Sequence, residues 1–159
     1  MPVSNMAGDL YVPDANVFLE YIYDRPLKNY SQQIVHDAVL DRIQLIVPSL
    51  LLDEITEVLC GNLNNIEEVK LHIQYLETLA KEGVLNVVVP DSTVRMQAIT
   101  IARTGNPKSG YPELTDSLYH AVAILNNAVF ITNDRRHIAK VKEFGHIMSL
   151  SEYPAKIPS

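Results

Sequence analysis

The chain has one cysteine, Cys60, and no tryptophan. A lone thiol excludes an intrachain disulfide and the cysteine-rich zinc patterns, and no base is paired with Cys60 to make it a nucleophile. Long apolar runs are missing too: nothing approaches the roughly 18 residues that a membrane span needs. Met1 to Leu10 mixes polar and apolar residues without a basic start, unlike a secretory leader. These absences imply a cytoplasmic protein without membrane association. Positive charge is scarce, with 13 Lys and Arg against 19 Asp and Glu and a net charge of −6. That balance is unlike the basic face of most nucleic-acid binders, although bound divalent cations would offset it. No repeat, low-complexity tract or long linker divides the chain, so its 159 residues suit one domain spanning 1–159.

Against these absences stands one dense stretch, Leu114 to Asp134. Thr115 is placed to cap a helix, Asp116 falls in its first turn, and Leu118, Val122 and Leu125 recur at helical spacing. Asn126-Asn127 closes that helix. Ala128-Val-Phe-Ile131 then reads as a short strand buried on both faces, with Asp134 just past its carboxyl end. Upstream, Asp9 to Pro13 reads as a first strand, followed by Asp14-Ala-Asn16 and a helix that Asn16 could cap. Ser31 to Leu40 is a second helix. Gln44 to Val47 is a second strand ended by Pro48, and Ser49 caps a helix through Leu59. Asn64 to Lys81 is a long amphipathic helix with Ile66, Val69, Ile73, Leu76 and Leu79 on its apolar side.

Leu85 to Val89 is a third strand, and Asp91 or Ser92 caps a helix after it. Thr104 to Pro112 is a long loop, and Ile147 to Leu150 a last strand before a proline-marked, frayed end. Strands alternating with helices at these distances predict an α/β fold: three layers, α/β/α, around a central, mostly parallel sheet of 4–5 strands.

The acids carry the chemistry. Val12-Pro13-Asp14, Val47-Pro48-Ser49 leading to Glu54, and Phe130-Ile131-Thr-Asn-Asp134 share one layout: an apolar strand, a stop, then an acid at or beyond the carboxyl end. Asp116 opens another helix. Parallel strands align their carboxyl ends on one edge, so these four acids can converge. Each has a plainer reading by itself. Asp14 and Asp134 suit helix caps, Asp116 suits a first-turn dipole partner, and Asp53 and Glu57 flank Glu54 as candidates for one solvated face. Together, an all-oxygen set without His or Cys selects hard cations, Mg²⁺ or Mn²⁺. Two such ions can flank a scissile phosphate.

With these motifs in view, the chain from Tyr11 to Leu150 resembles the PIN-domain family, ribonucleases that include the VapC-type toxins of toxin–antitoxin pairs. The matching pieces are Asp14-Ala-Asn16, Glu54 six residues after Pro48, Asp116-Ser-Leu-Tyr-His-Ala-Val-Ala123, and Thr132-Asn133-Asp134. The resemblance implies that Asp14, Glu54, Asp116 and Asp134 bind Mg²⁺ or Mn²⁺ and support hydrolysis of an RNA phosphodiester. Thr132 would orient the first or last acid, and Asn16 would sit beside the pocket. It further implies an antitoxin protein as partner and a homodimer, with the helix at Asn64 to Lys81 and the one before it as candidate dimer surfaces.

The sequence departs from the family at Ala15, where Thr or Ser is common, and at Tyr119 and His120, where small or aliphatic residues are usual. His120, one turn beyond Asp116, either faces the pocket or is a partly exposed helix residue, and Glu113 is a solvated loop acid or an outer member of the site. His72, His137 and His146 show no metal spacing. Lys108, in the loop from Arg103 to Tyr111, and Arg135 and Arg136 are candidate RNA contacts.

Other classes compete with a nuclease. A housekeeping RNA-processing enzyme would use the same acids. A non-catalytic RNA- or protein-binding module would not need them intact. An aspartyl-phosphate phosphatase could use Asp14 as nucleophile, but Asn16 stands where its second Asp belongs, and no lysine directly follows a late strand.

Overall fold

The computed structural model describes residues 10–104, 108 and 110–156. Outside them lie residues 1–9, which carry the leader reading and Asp9, together with Gly105, Asn106, Pro107 and Ser109 of the long loop, and Pro158 near the chain end. Five strands, β1 (Leu10–Pro13), β2 (Gln44–Pro48), β3 (Leu85–Val88), β4 (Val129–Thr132) and β5 (Ile147–Ser149), pair in parallel throughout. Their spatial order is β3-β2-β1-β4-β5. Seven α-helices join them among the described residues: α1 (Ala15–Ile22), α2 (Lys28–Val39), α3 (Leu50–Asn62), α4 (Ile66–Lys81), α5 (Ser92–Ala102), α6 (Leu114–Leu125) and α7 (Arg135–Val141). This is the three-layer α/β/α arrangement, with the sheet at the upper expected strand number.

The pattern of burial explains the order. β1 and β4 are central and covered on both faces, so Val12, Phe130 and Ile131 are fully buried. Each such side chain contributes about 1.5–3 kcal/mol relative to exposure. β3 is an edge strand, and Val87 is correspondingly half out in solvent. Pro13 and Pro48 sit at strand ends, where a missing N–H costs least. The residue after each continues the ladder instead: Asp14 N–H donates to Ile131 O (3.2 Å) and Ser49 N–H to Val88 O (2.8 Å).

Several sequence expectations shift. α2 begins one turn earlier than Ser31, at Lys28. α4 begins at Ile66 because Asn65 caps it, accepting from the N–H groups of Glu67 and Glu68, and Ile66 itself is exposed. β3 stops at Val88, leaving Val89 in solvent. Asp14, not Asn16, caps α1. Neither Ser49 nor Thr115 caps a helix through its side chain: Ser49 has helical backbone angles, and α6 begins with Glu113 at its cap position. Of the three apolar residues at helical spacing on α6, Val122 is fully buried and Leu118 is partly buried against the cluster of Ala98, Ile101, Ala121 and Val141. Leu125 is exposed, while Ser117, Tyr119, His120 and Ala121 to Ala123 are buried, because small residues let this helix press against the sheet and α5.

The last strand ends at Ser149, and the chain continues as a 3₁₀ segment, Leu150–Lys156, that is anchored. Tyr153 is fully buried, edge-on to Tyr11 at 5.5 Å, and its hydroxyl donates to Asp37 Oδ2 at 2.7 Å. Asp37 also accepts from Gln33 Nε2 (2.8 Å) and Arg42 Nη1 (3.4 Å). Removing one donor from a buried carboxylate leaves an oxygen unpaired. Tyr153→Phe should therefore lower the unfolding free energy by about 1–3 kcal/mol in urea titrations. A change within about 0.5 kcal/mol, the range of an ordinary surface substitution, would show that the contact does not anchor the segment.

Candidate active site

In the order β3-β2-β1-β4-β5 the connections run one way from β1 through β2 to β3 and then cross back to β4. The switch point is between β1 and β4, where doubly wound sheets bind ligands at their carboxyl ends. Asp14 and Asp134 follow those two strands directly. α1, α3 and α7 begin at this edge because each follows a strand. α6 begins there because it runs back beneath the sheet to enter β4. With α5, which follows β3, five helix N-termini thus face the same edge, and their partial positive charge favours carboxylates.

Asp14 is buried, with 4% of its surface exposed. Its Oδ1 accepts from Val17 N–H (3.2 Å) and its Oδ2 from the Thr132 hydroxyl (2.6 Å). Thr132 Oγ1 in turn accepts from Asp134 N–H at 3.1 Å. Asp134 Oδ1 accepts from the N–H groups of Arg136 (3.0 Å) and His137 (3.2 Å). Both aspartates therefore are helix caps, the plainer reading of each, and Thr132 joins the two caps into one chain across the switch point.

Glu54 and Asp116 complete the edge. Glu54 is half-buried on α3, whereas its neighbours Asp53 and Glu57 are exposed, which separates it from them. The Tyr119 hydroxyl donates to Glu54 Oε1. Asp116, half-buried in the first turn of α6, lines a polar cleft of about 140 Å³ with Pro112, Glu113, Asp134, Arg136, His137 and Lys140.

The carboxyl groups feel burial and one another. Burial pushes Asp14 up to about 7, against the Thr132 hydrogen bond, with further upward pressure from Asp116 and Glu54. Burial likewise pushes Asp116 up to about 6, aided by Asp134, Glu113 and Glu54 and opposed by Lys140. Glu54 is raised by burial, with the Tyr119 hydrogen bond opposing. The four acids thus interact across four separate segments.

Other candidates fall differently. Asn16 is exposed on the first turn of α1, and Lys108 is exposed on the loop. Arg136 lines the acidic cleft, but Arg135 turns to a separate groove with Ile138, Lys142 and Glu152. Glu113 is exposed at the cleft rim. His120 is neither exposed nor in the cleft: it is fully buried among Phe130, Phe144 and His137, with Nε2 hydrogen-bonded to Gly145 O at 2.7 Å. The sequence reading missed Lys140, whose Nζ donates to Tyr111 O (3.3 Å) and ties the loop to α7. It also missed Glu20, buried on α1, which accepts from Leu27 N–H (3.0 Å) and Asn133 Nδ2 (3.3 Å) and steadies the turn before Asp134. Only the i, i+3 spacing of Asp116 and Tyr119 could have pointed to the phenol beforehand.

Oxygen-only donors under mutual repulsion suit a hard divalent cation. Among the described residues no three Asp, Glu, His or Cys side chains are placed so that together they could hold a metal ion. Mg²⁺ takes one or two carboxylates and completes its shell with water and phosphate oxygens, and the acids that feel one another here, Asp14 with Asp116 and Asp116 with Asp134, are of the type it uses.

Five parallel strands, helices on both faces and acids gathered at the switch point define the class. Residues 11–143 match the family model described as PIN domain, and the chain belongs to that family. No curated protein matches the sequence significantly. Among solved structures it is similar to VapBC-1 from nontypeable Haemophilus influenzae, at 18% identity and a TM-score of 0.63 over 89% of this chain and 98% of that one. VapBC2 from Rickettsia felis, bound to a DNA fragment from their promoter, gives 16% and 0.62 over 88% and 96%. PAE2754 from Pyrobaculum aerophilum gives 18% and 0.56 over 93% and 97%. At these identities the likeness is one of fold.

The raised carboxyls make stability depend on pH. A carboxyl whose folded pKa exceeds its unfolded value opposes folding increasingly as pH climbs from the unfolded value to the folded one. The buried imidazoles act oppositely: His137, lowered to about 4 mainly by burial, loses stability as pH falls below the ordinary histidine value. Comparing Asp14→Asn with the parent chain in EDTA isolates Asp14. The stability difference should move in favour of the variant by on the order of 2 kcal/mol between pH 5 and pH 7. A pH-independent difference in urea midpoints would mean that Asp14 ionises freely.

Proposed function

We propose that the protein is a divalent-metal-dependent ribonuclease that hydrolyses RNA phosphodiester bonds as the toxin of a toxin–antitoxin pair. The supporting observation is the chain of hydrogen bonds from Val17 N–H through Asp14, Thr132 and Asp134 at the switch point, with Glu54 and Asp116 acting on the same field. Membership of the PIN family and the fold likeness to VapBC proteins support the nuclease and toxin parts.

In this reading Asp14, Glu54, Asp116 and Asp134 would hold Mg²⁺ or Mn²⁺. The bound ion supplies neutralisation of the phosphate charge and a water acidic enough to attack it. Thr132 keeps Asp14 Oδ2 oriented, as hydrogen-bonded partners of liganding carboxylates generally do. Asp116, still largely protonated at low pH, must lose its proton to serve. Arg136 and Lys140, on the cleft wall beside Asp116 and Asp134, supply positive charge for substrate phosphates.

Asp14 is poorly suited to the alternative role of phosphate-accepting nucleophile, because Asn16 stands where such an enzyme needs a second Asp as acid and base. A protein partner has a surface of its own away from the acids. The groove between α3 and α4, about 450 Å³, is lined by Cys60, Leu63, Ile66, Val69 and Ile73 and suits a second copy of this chain, on the helices expected to form a dimer surface.

Chelation should abolish RNA cleavage, and Mg²⁺ or Mn²⁺ should restore it. Asp116→Asn should lower cleavage by about 100-fold or more, beyond the 10- to 100-fold typical of residues that only support a ligand, with the circular dichroism spectrum unchanged. Cleavage that persists in EDTA, or survives in Asp116→Asn, would refute the metal-nuclease reading.

A further inference from the structure

Three of the four acids are held in place by short arms or by the backbone. Asp14 and Asp134 cap helices, and Asp116 sits on a one-carbon arm at the start of α6. Glu54 differs. It stands in the interior of α3 on a longer, more flexible side chain, between exposed acids, where repulsion from Asp14 and Asp116 would drive its carboxylate outward. Its hydrogen bond from the Tyr119 hydroxyl opposes that.

Tyr119 is well built for the task. Its side chain is 1% exposed, and its ring stacks on Phe130 with centroids 5.9 Å apart and planes 13° from parallel. Ring position is thus fixed by the sheet. Tyr119 follows Asp116 by three residues on α6, so the phenol lies beneath that acid and on the same helix face. The hydroxyl also lies close enough to Asp14 and Asp116 to feel their charge. α6 packs on β1, β2 and β4, which lets one side chain anchored on β4 reach α3 across the sheet.

We propose that Tyr119 is a positioning residue that holds Glu54 in the acidic cluster, doing for Glu54 what Thr132 does for Asp14. The role rests on the metal-nuclease reading of that cluster. It predicts that removing the hydroxyl while keeping the ring weakens the divalent-ion site by releasing Glu54.

The test is a double-mutant cycle of Tyr119→Phe and Glu54→Ala, read by Mn²⁺ calorimetry and by RNA cleavage on the full chain. Tyr119→Phe alone should bind Mn²⁺ roughly 10- to 100-fold more weakly than the parent, the range for residues that orient a ligand. In the Glu54→Ala background the same change should have no further effect, because the two residues act as one unit. A buried tyrosine with a purely structural role would give equal losses in both backgrounds, and that additivity would overturn the proposal. So would parent-like Mn²⁺ affinity in Tyr119→Phe. Should that variant fold poorly, Glu54→Asp leaves Tyr119 intact but shortens the arm by one methylene. It should show a similar loss, and parent-like affinity in it would overturn the proposal. A parent chain that neither binds Mn²⁺ nor cleaves RNA sinks the nuclease reading first and this role with it.

Discussion

Like charges crowded at the carboxyl edge of one parallel sheet are the constraint that the rest of this structure has to satisfy. Net stability of a domain this size is about 5–15 kcal/mol. An unrelieved pair of neighbouring carboxylates costs several kcal/mol at protein-like dielectric, on the order of 4 kcal/mol at 4 Å. The fold relieves that repulsion in three ways. Helix N-termini face the acids, hydroxyl groups of Thr132 and Tyr119 donate to two of them, and elevated pKa values keep Asp14 and Asp116 partly protonated. In the proposed reading, that edge would exchange protons for a cation.

In the proposed nuclease the same residues would serve both folding and chemistry. Asp14 starts α1 and Asp134 starts α7, so the two acids at the switch point are also the residues that turn strands into helices. Glu20 supports this from behind by tying Asn133 and the Leu27 turn together from within α1. Because Thr132 is both donor to Asp14 and acceptor from Asp134 N–H, a shift at either strand end is transmitted to the other. The antiparallel course of α6 relative to the sheet then brings Asp116, and one turn below it Tyr119, to the same edge.

Much of this was legible in the sequence, because strand–stop–acid is a local pattern and parallel sheets align local patterns. The two Val-Pro stops, the buried run ending at Ile131 and the acid after each required only period, length and proline chemistry. Glu54 could not be separated from Asp53 and Glu57 by spacing alone, since a helix presents all three near one another. Burial on one side of α3 made the distinction. On α6 Val122 lies inside as its helical spacing suggests but Leu125 does not, because close packing on the sheet favours the small residues Ser117, Ala121 and Ala123. His120 follows neither of the two readings its position allowed, a cleft residue or a partly exposed one, because Phe130, Phe144 and His137 enclose it on the other side. Glu20, Lys140 and the Tyr153–Asp37 contact were invisible, since each depends on segments 7 to 116 residues apart meeting in space.

The central claim is that partly protonated carboxylates at the switch point give up protons when a divalent ion binds. Calorimetry of Mn²⁺ binding at pH 6 in buffers of different ionisation enthalpy counts those protons directly. With Asp14 near 7 and Asp116 near 6, the account predicts release of about one proton or more per chain at pH 6 and none at pH 9. Binding without proton release at pH 6 would contradict it.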